Sequence, residues 1–172
     1  MEIRTGGPAD TPAVLALLDG AVAWLAAEGR TGQWGEQPWS DRPTSVAGLE
    51  RSATEDLVRL AVDAGGRVVG AAVLAGTAPS YAAPVDGPEL YLRWLVTDRA
   101  ARGTGVGAAL VADALAEARR RGVPLLRVDC YAGDDRRLVA QYERLGFTRT
   151  QAFELAKDDG RRWPGQLLEI RL

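Results

Sequence analysis

Between residues 89 and 130 an apolar run, a glycine-rich loop, a long amphipathic stretch and a second apolar run follow one another directly, and this order constrains the fold more than any other feature. Residues 89–97 (ELYLRWLVT) read as a buried strand. Residues 105–121 predict the strongest helix, with Leu110, Val111, Ala114, Leu115 and Ala118 on one side and arginines in the last turn, where they complement the helix dipole. Gly122 and Pro124 stop it, and residues 125–130 form the next strand. A strand, helix, strand unit of this length requires a parallel pair joined by a right-handed crossover, so the chain must build a mixed sheet with that pair near its centre.

The remaining elements fit around that unit. A short strand at residues 2–4 is followed by a helix from about residue 8 or 10 to residue 28, with Val14, Leu15, Leu18, Val22 and Leu25 at helical spacing, Asp10 as cap and Gly29 as stop. Residues 31–43, with Trp34, Pro38 and Trp39, lack periodicity and read as a long loop. A weaker helix at 45–55 precedes two apolar runs, 57–63 and 67–74, which pair as a hairpin around Ala64-Gly65-Gly66. Beyond residue 130, a helix at 134–145 capped by Asp134 and ended by Gly146 leads to strands at 147–155 and 166–172, joined by a polar loop at 157–164. The expected order is β α α β β β α β α β β, one α/β domain over residues 1–172 with a mixed central sheet flanked by helices.

Composition excludes several chemistries. The 172 residues contain no histidine and one cysteine, Cys130, so a Ser-His-Asp triad, an HExxH metal site, an intrachain disulfide and a cysteine metal cluster are all ruled out. No metal is expected. A net charge of -2 gives no electrostatic footprint for nucleic acid, and Arg119, Arg120 and Arg121 read as a solvated helix end. No leader pattern opens the chain and no run of 18 uninterrupted apolar residues occurs, so the expectation is a soluble, cytoplasmic protein with no membrane partner.

The loop Arg102-Gly103-Thr104-Gly105-Val106-Gly107-Ala108 lies between strand and helix, where glycines admit a ligand close to the backbone and helix-start amides point outward. Such a place suits phosphate or pyrophosphate, with Arg102 and Arg99 adding charge. A P-loop is excluded because the sole lysine, Lys157, is far away in sequence. A dinucleotide fingerprint is literally present as Gly103, Gly105 and Ala108, with Asp129 at the end of the next strand. Against it, residues 97–102 separate strand from loop, and too little chain follows residue 130 for the further strand and helix units. A bare structural turn remains the plainest alternative.

A third reading comes from resemblance. The pattern (Q/R)xxGx(G/A), met by residues 102–107, resembles the acyl-CoA loop of the GNAT superfamily of N-acetyltransferases. Tyr142-Glu143-Arg144-Leu145-Gly146-Phe147 is similar to the ending of that family's last helix, and Ile3-Arg4 with Ala9-Asp10 to its opening. The resemblance implies a GNAT-like fold over essentially the whole chain and acetyl transfer from acetyl-CoA, as cosubstrate, to a primary amine, expected to be that of a small molecule. It implies that Arg102, Gly103, Thr104, Gly105, Val106 and Gly107 hold the pyrophosphate. The pantetheine arm would lie along Leu95, Val96 and Thr97, whose backbone edge can pair with its amides. A free N–H near Leu95 would stabilise charge on the thioester oxygen. Where many relatives have Asn, this chain has Asp135, which either contacts pantetheine or caps the helix. A homodimer is the protein partner that the family suggests. A non-catalytic acyl-CoA binding or sensing module would share the same loop.

Direct attack needs a neutral amine, and an alkylamine with pKa about 10.4 is neutral in only on the order of one molecule in 2,000 at pH 7. A base or a water chain must accept the proton; without histidine a carboxylate is the natural choice, and Glu89, on the same face as Tyr91 by strand alternation, is the leading candidate as base or water relay. Tyr142 resembles the family tyrosine that protonates the departing thiolate, although its place on an apolar helix face also suits packing. Cys130 reads as a small buried residue. For the acceptor, Trp24, Trp34 and Trp39 with Glu28, Glu36 and Asp41 lie in the region that lines the family's acceptor cleft, where tryptophans and carboxylates can attract a cation.

Overall fold

The computed structural model describes residues 1–133, 135–157 and 160–172. The order is β1 (Glu2–Thr5), a 3-10 turn (Pro8–Asp10), α1 (Thr11–Ala27), α2 (Pro43–Glu55), β2 (Leu57–Val62), β3 (Val68–Ala75), β4 (Leu90–Thr97), a second 3-10 turn (Arg99–Ala101), α3 (Val106–Arg120), β5 (Leu125–Tyr131), α4 (Arg137–Arg144), β6 (Thr148–Ala156) and β7 (Arg162–Arg171). The strands form one seven-stranded sheet, β1-β2-β3-β4-β5-β7-β6, in which only β4 and β5 run parallel. The single parallel pair is the one that the strand, helix, strand unit demands.

Helices cover both faces. On one, Val106, Leu110, Ala114 and Ala118 of α3 and Val139 and Tyr142 of α4 pack against Leu90, Leu92, Leu126 and Val128. On the other, Val14, Leu17, Leu18 and Ala21 of α1 and Leu49 and Ala53 of α2 cover Val58, Leu60, Ala71, Val73 and Val96. The segment Pro8–Ala27 is long and apolar enough to cross a bilayer by length and composition, but here its apolar stripe lies on the sheet.

Three local expectations are corrected. Asp10 stands at the start of α1 without capping it; its carboxylate instead accepts from Gly7 N (3.0 Å) and pairs with Arg4 (2.6 Å). The last helix begins at Arg137, because Arg136 takes a left-handed φ of 48° that breaks the helical path; Asp134 lies outside the described residues. Strand β7 begins at Arg162, before the expected residue 166, because the ladder to β6 continues through Pro164↔Glu154 and Trp163↔Leu155. Pro164 is tolerated there with its carbonyl accepting from Ala132 N.

Gly70 sets the distance between β3 and α3. A Cβ at this position would stand 2.6 Å from Val106 Cγ1 and 3.0 Å from Leu110 Cδ1. Gly70→Ala should therefore force α3 outward and destabilise the protein by about 1–3 kcal/mol, read as a lower urea midpoint at unchanged slope.

Candidate active site

The site exists because β4 and β5 separate. Their parallel ladder covers only Leu90↔Leu126, Tyr91↔Arg127 and Leu92↔Val128. Beyond it, β5 continues on β7 to Tyr131 and β4 continues on β3 to Thr97, so the facing edges of the two strands diverge with no protein partner between them. A register shift between Val73 and Leu74 opposes Val73 to Trp94 and Leu74 to Leu92, leaving Arg93 as the extra residue of a bulge. The bulge reverses the alternation: Leu90 and Leu92 face α3, whereas Trp94 and Val96 face α1 and α2 and Leu95 turns to the α3 side.

The cleft opens at one end toward the glycine loop. Gly103 (φ 80°) and Gly105 (φ 84°) adopt left-handed conformations that an L side chain would strain, and Gly105 is the residue from which α3 starts. The first amides of α3, at Val106, Gly107 and Ala108, have no carbonyl one turn earlier to pair with, so they present donors at the positive end of the helix dipole. Arg102 is exposed beside them with no acidic partner among the described residues. Arg99 instead lies 3.7 Å over the Trp24 ring, its pKa lowered by burial and then by Arg102 and Arg30. Thr97 stands next to Gly107, Val96 is buried toward α1, and Leu95 lines the cleft. Asp135 is already engaged: it accepts from Arg137 N (3.1 Å) and pairs with Arg30 (3.3 Å) and Arg137 (3.1 Å). These contacts hold the turn before α4 and tie it to Arg30, just beyond α1.

At the other end the cleft widens into a cavity of about 990 Å³ between the α1–α2 loop, β4, β5 and the β6–β7 hairpin. Trp163 closes one side by donating from Nε1 to Gln33 O (2.9 Å). Beside it, Tyr131 lies so close to Gly32 that a Cβ there would fall 2.2 Å from the phenol oxygen.

Glu89 does not line this cavity. Its carboxylate accepts from Arg127 (3.0 Å) and from Ala78 N (3.3 Å), and the Arg127 side chain, only 3% exposed, also donates to Ala83 O. Asp129 does line it, and accepts hydrogen bonds from the hydroxyls of Tyr91 and Tyr81. Burial holds the Asp129 carboxyl above the usual range, against the opposing effect of the two phenols, and both phenols are pushed up by their own burial first. One signal was present in the sequence: Arg127 and Asp129 alternate with Leu126, Val128 and Cys130 in an otherwise apolar strand, so both charges fall on one face.

Tyr142 is 7% exposed, packs edge-on against Phe147 (5.6 Å) and lines the cavity; its hydroxyl has no hydrogen-bond partner among the described residues. Burial raises its pKa, with Cys130 and Asp129 adding smaller effects in the same direction, so it stays protonated at neutral pH. The Cys130 thiol is pushed up to about 12 by burial, then by Asp129, which leaves it inert as a nucleophile. Of the residues expected around the acceptor, Trp34, Trp39 and Glu36 line the cavity, whereas Trp24 lies under Arg99 and neither Glu28 nor Asp41 reaches the lining.

The sequence model of the acetyltransferase (GNAT) family matches residues 20–147, from α1 to the end of the Tyr142–Phe147 motif. The chain belongs to the GNAT family. Solved structures agree across the whole acetyltransferase. A ribosomal-protein-alanine N-acetyltransferase from Brucella melitensis is 25% identical, with 100% of each chain covered and a TM-score of 0.69. A GNAT superfamily phosphinothricin acetyltransferase from Sinorhizobium meliloti, solved with acetyl-CoA, is 17% identical over 99% of this chain and 88% of that one, TM-score 0.70. A GNAT-family acetyltransferase from Listeria monocytogenes is 22% identical over 99% and 94%, TM-score 0.67. No match was found among curated protein sequences. The protein is thus an N-acetyltransferase of the GNAT family, and acetyl-CoA is the cosubstrate that this family uses. The separated β4 edge, the left-handed glycines and the exposed Arg102 fit an extended, diamide-bearing arm that ends in phosphates. Among the described residues no cluster suits a metal ion.

The Glu89–Arg127 pair makes a separable prediction. Removing the carboxylate strands a buried guanidinium, so Glu89→Ala should cost about 3 kcal/mol in chemical denaturation. The pH profile of acetyl transfer should keep its shape, because Asp129 is untouched.

Proposed function

We propose that the enzyme acetylates the primary amine of a small molecule by direct attack, with Asp129 accepting the amine proton and Tyr142 protonating the departing sulfur. The observation that carries the small-molecule reading is the Trp163 to Gln33 bridge, which joins the β6–β7 hairpin to the α1–α2 loop across one side of the acceptor cavity. A protein tail lying through the site needs a groove open at both ends, and the bridge stands across that path.

In this reading the backbone donors of residues 103–107 and Arg102 hold the pyrophosphate, and the unpaired edge of β4 from Arg93 to Thr97 pairs with the pantetheine amides. Leu95, on the cleft side of the bulge, is where a backbone N–H would face the thioester oxygen. Acetyl-CoA supplies an activated acetyl thioester. The chain supplies proton control: as the new C–N bond forms and the C–S bond breaks, one proton leaves the amine for Asp129 and another leaves the Tyr142 hydroxyl for sulfur. The phenols of Tyr91 and Tyr81 fix the Asp129 carboxylate in place. A carboxyl raised by burial is a stronger base than a solvated one, which favours Asp129 over the ion-paired Glu89. Asp135 has no part in this scheme beyond the start of α4.

Asp129→Asn is the first test, because an amide oxygen can still accept from both phenols while the basic function is lost. With a primary amine and a free-thiol assay, kcat/KM should fall by about 10²-fold or more, and acetyl-CoA should raise Tm as in the parent. In the parent, activity should drop as pH falls through the raised pKa of Asp129, above the ordinary carboxylate range, and the variant should lose that limb. Stability moves the other way. A carboxyl whose pKa is higher folded than unfolded stabilises the fold only below its unfolded value, and this contribution is gone once the pH exceeds the folded one. At pH 7 ionised Asp129 is therefore a cost, and the Asn variant should melt higher. Tyr142→Phe should lower turnover while leaving acetyl-CoA binding unchanged. Full activity in both variants, or preference for a basic peptide over every small amine, would sink the reading.

A further inference from the structure

Aromatic residues make up only 6% of the chain, yet all four tyrosines and four of the five tryptophans line this cavity. The buried core elsewhere is built mainly from Leu, Val and Ala. The rings form two walls. On the α1–α2 side Trp34 meets Trp39 at 5.6 Å and 71°, and Trp39 meets Trp94 at 5.8 Å and 90°. On the hairpin side Tyr131 lies 5.5 Å from Trp163. These tryptophans are only half-buried, so part of each ring is left over for a ligand. Rings in edge-to-face array favour another flat ring beside them and attract an ammonium to their faces.

The charge of the same cavity sets a second limit. Its lining carries five cationic residues and two acidic ones, Asp129 and Glu36. Lys157 Nζ stands 5.3 Å from the centre of the Trp163 ring, so that ring already has its cation. One ammonium can settle against Asp129. A second would find only the exposed Glu36, because the neighbouring carboxylates Asp56 and Glu154 are already taken by the lining arginines Arg93 (3.3 Å) and Arg162 (2.8 Å).

We infer that the acceptor is a monoamine carried on an aromatic body, and that polycationic amines are rejected. This rests on the small-molecule reading above and narrows it. The bulge at Arg93 supports it structurally, since that extra residue is what turns Trp94 from the α3 side to meet Trp39.

The test uses the whole chain with saturating acetyl-CoA and free-thiol detection, comparing phenethylamine and tryptamine with n-hexylamine and spermidine. The arylalkyl amines should exceed hexylamine at least about 10-fold in kcat/KM and spermidine about 100-fold, roughly one and two steps of 1.4 kcal/mol. Equal use of hexylamine, or preference for spermidine, overturns the inference while leaving small-molecule acetylation intact. No turnover with any of the four amines, while acetyl-CoA still raises Tm and a peptide amine is acetylated, overturns the inference together with the reading it rests on. Trp34→Leu adds an internal control: phenethylamine kcat/KM should fall about 10-fold and hexylamine less than 3-fold, with the acetyl-CoA thermal shift unchanged. Equal losses on both amines would mean that Trp34 only packs the loop, against the inference. Trp94→Phe, which keeps a ring, should restore the phenethylamine preference that Trp94→Leu loses.

Discussion

Everything in this enzyme depends on two parallel strands that stop pairing after three residues. A sheet this apolar would close its centre if β4 and β5 stayed in register, and the edges that now face the cleft would be spent on each other. The extra residue at Arg93 prevents that. It bends β4, frees one edge of its last five residues and changes which side chains face each helical layer. Leu95 then looks into the cleft from one side and Trp94 joins the aromatic wall on the other. One backbone irregularity thus shapes both the arm-binding edge and the acceptor cavity, which is why neither could be repaired independently of the other.

Two carboxylates near that split show how environment assigns roles. Glu89 and Asp129 stand just beyond opposite ends of the one short parallel ladder, and both are largely withdrawn from water. Glu89 meets a buried guanidinium, an arrangement whose Coulomb gain goes into offsetting the desolvation of both charges. Asp129 meets only phenols, which donate hydrogen bonds without bringing a charge, so its burial is not compensated and its basicity rises. The residue whose burial is uncompensated is the one proposed for proton transfer, a pattern expected of functional sites.

Much of the fold was legible because its signals are local. The glycine loop, the amphipathic α3 and the Gly122–Pro124 stop fix the crossover unit, and the order of all eleven principal elements follows from similar punctuation. The loop residues 102–107 were readable for the same reason, as glycines at left-handed positions leave a signature that no tertiary contact needs to supply. What failed was long-range or phase-dependent. Alternation along β4 favoured Glu89 because its partner Arg127, 38 residues later, leaves no mark within the strand; the bulge at Arg93, beyond Glu89 and Tyr91, hid instead the turn of Trp94 and Leu95. Trp163 was read as loop because Pro164 and the polar residues before it look like punctuation, whereas its place is decided by pairing with β6 and by an acceptor at Gln33, 130 residues away.

That last contact lies at the acceptor end. On the proposed reading, the bridge from Trp163 to Gln33 bars a long chain from one side of the cavity. The Asp129 carboxyl is raised by its own burial between β4 and β5, so the proposed selection by size and the proposed base belong to different parts of the cavity. The phosphate end needs no such bar. Its donors are backbone amides and an exposed arginine, open enough to admit a large, charged carrier and release it after each turnover. On the proposed reading, an aromatic chamber joined to an open mouth by a bare strand edge divides the labour: recognition of the common donor is left to the backbone, where side-chain identity matters little, and recognition of the particular acceptor falls to the side chains.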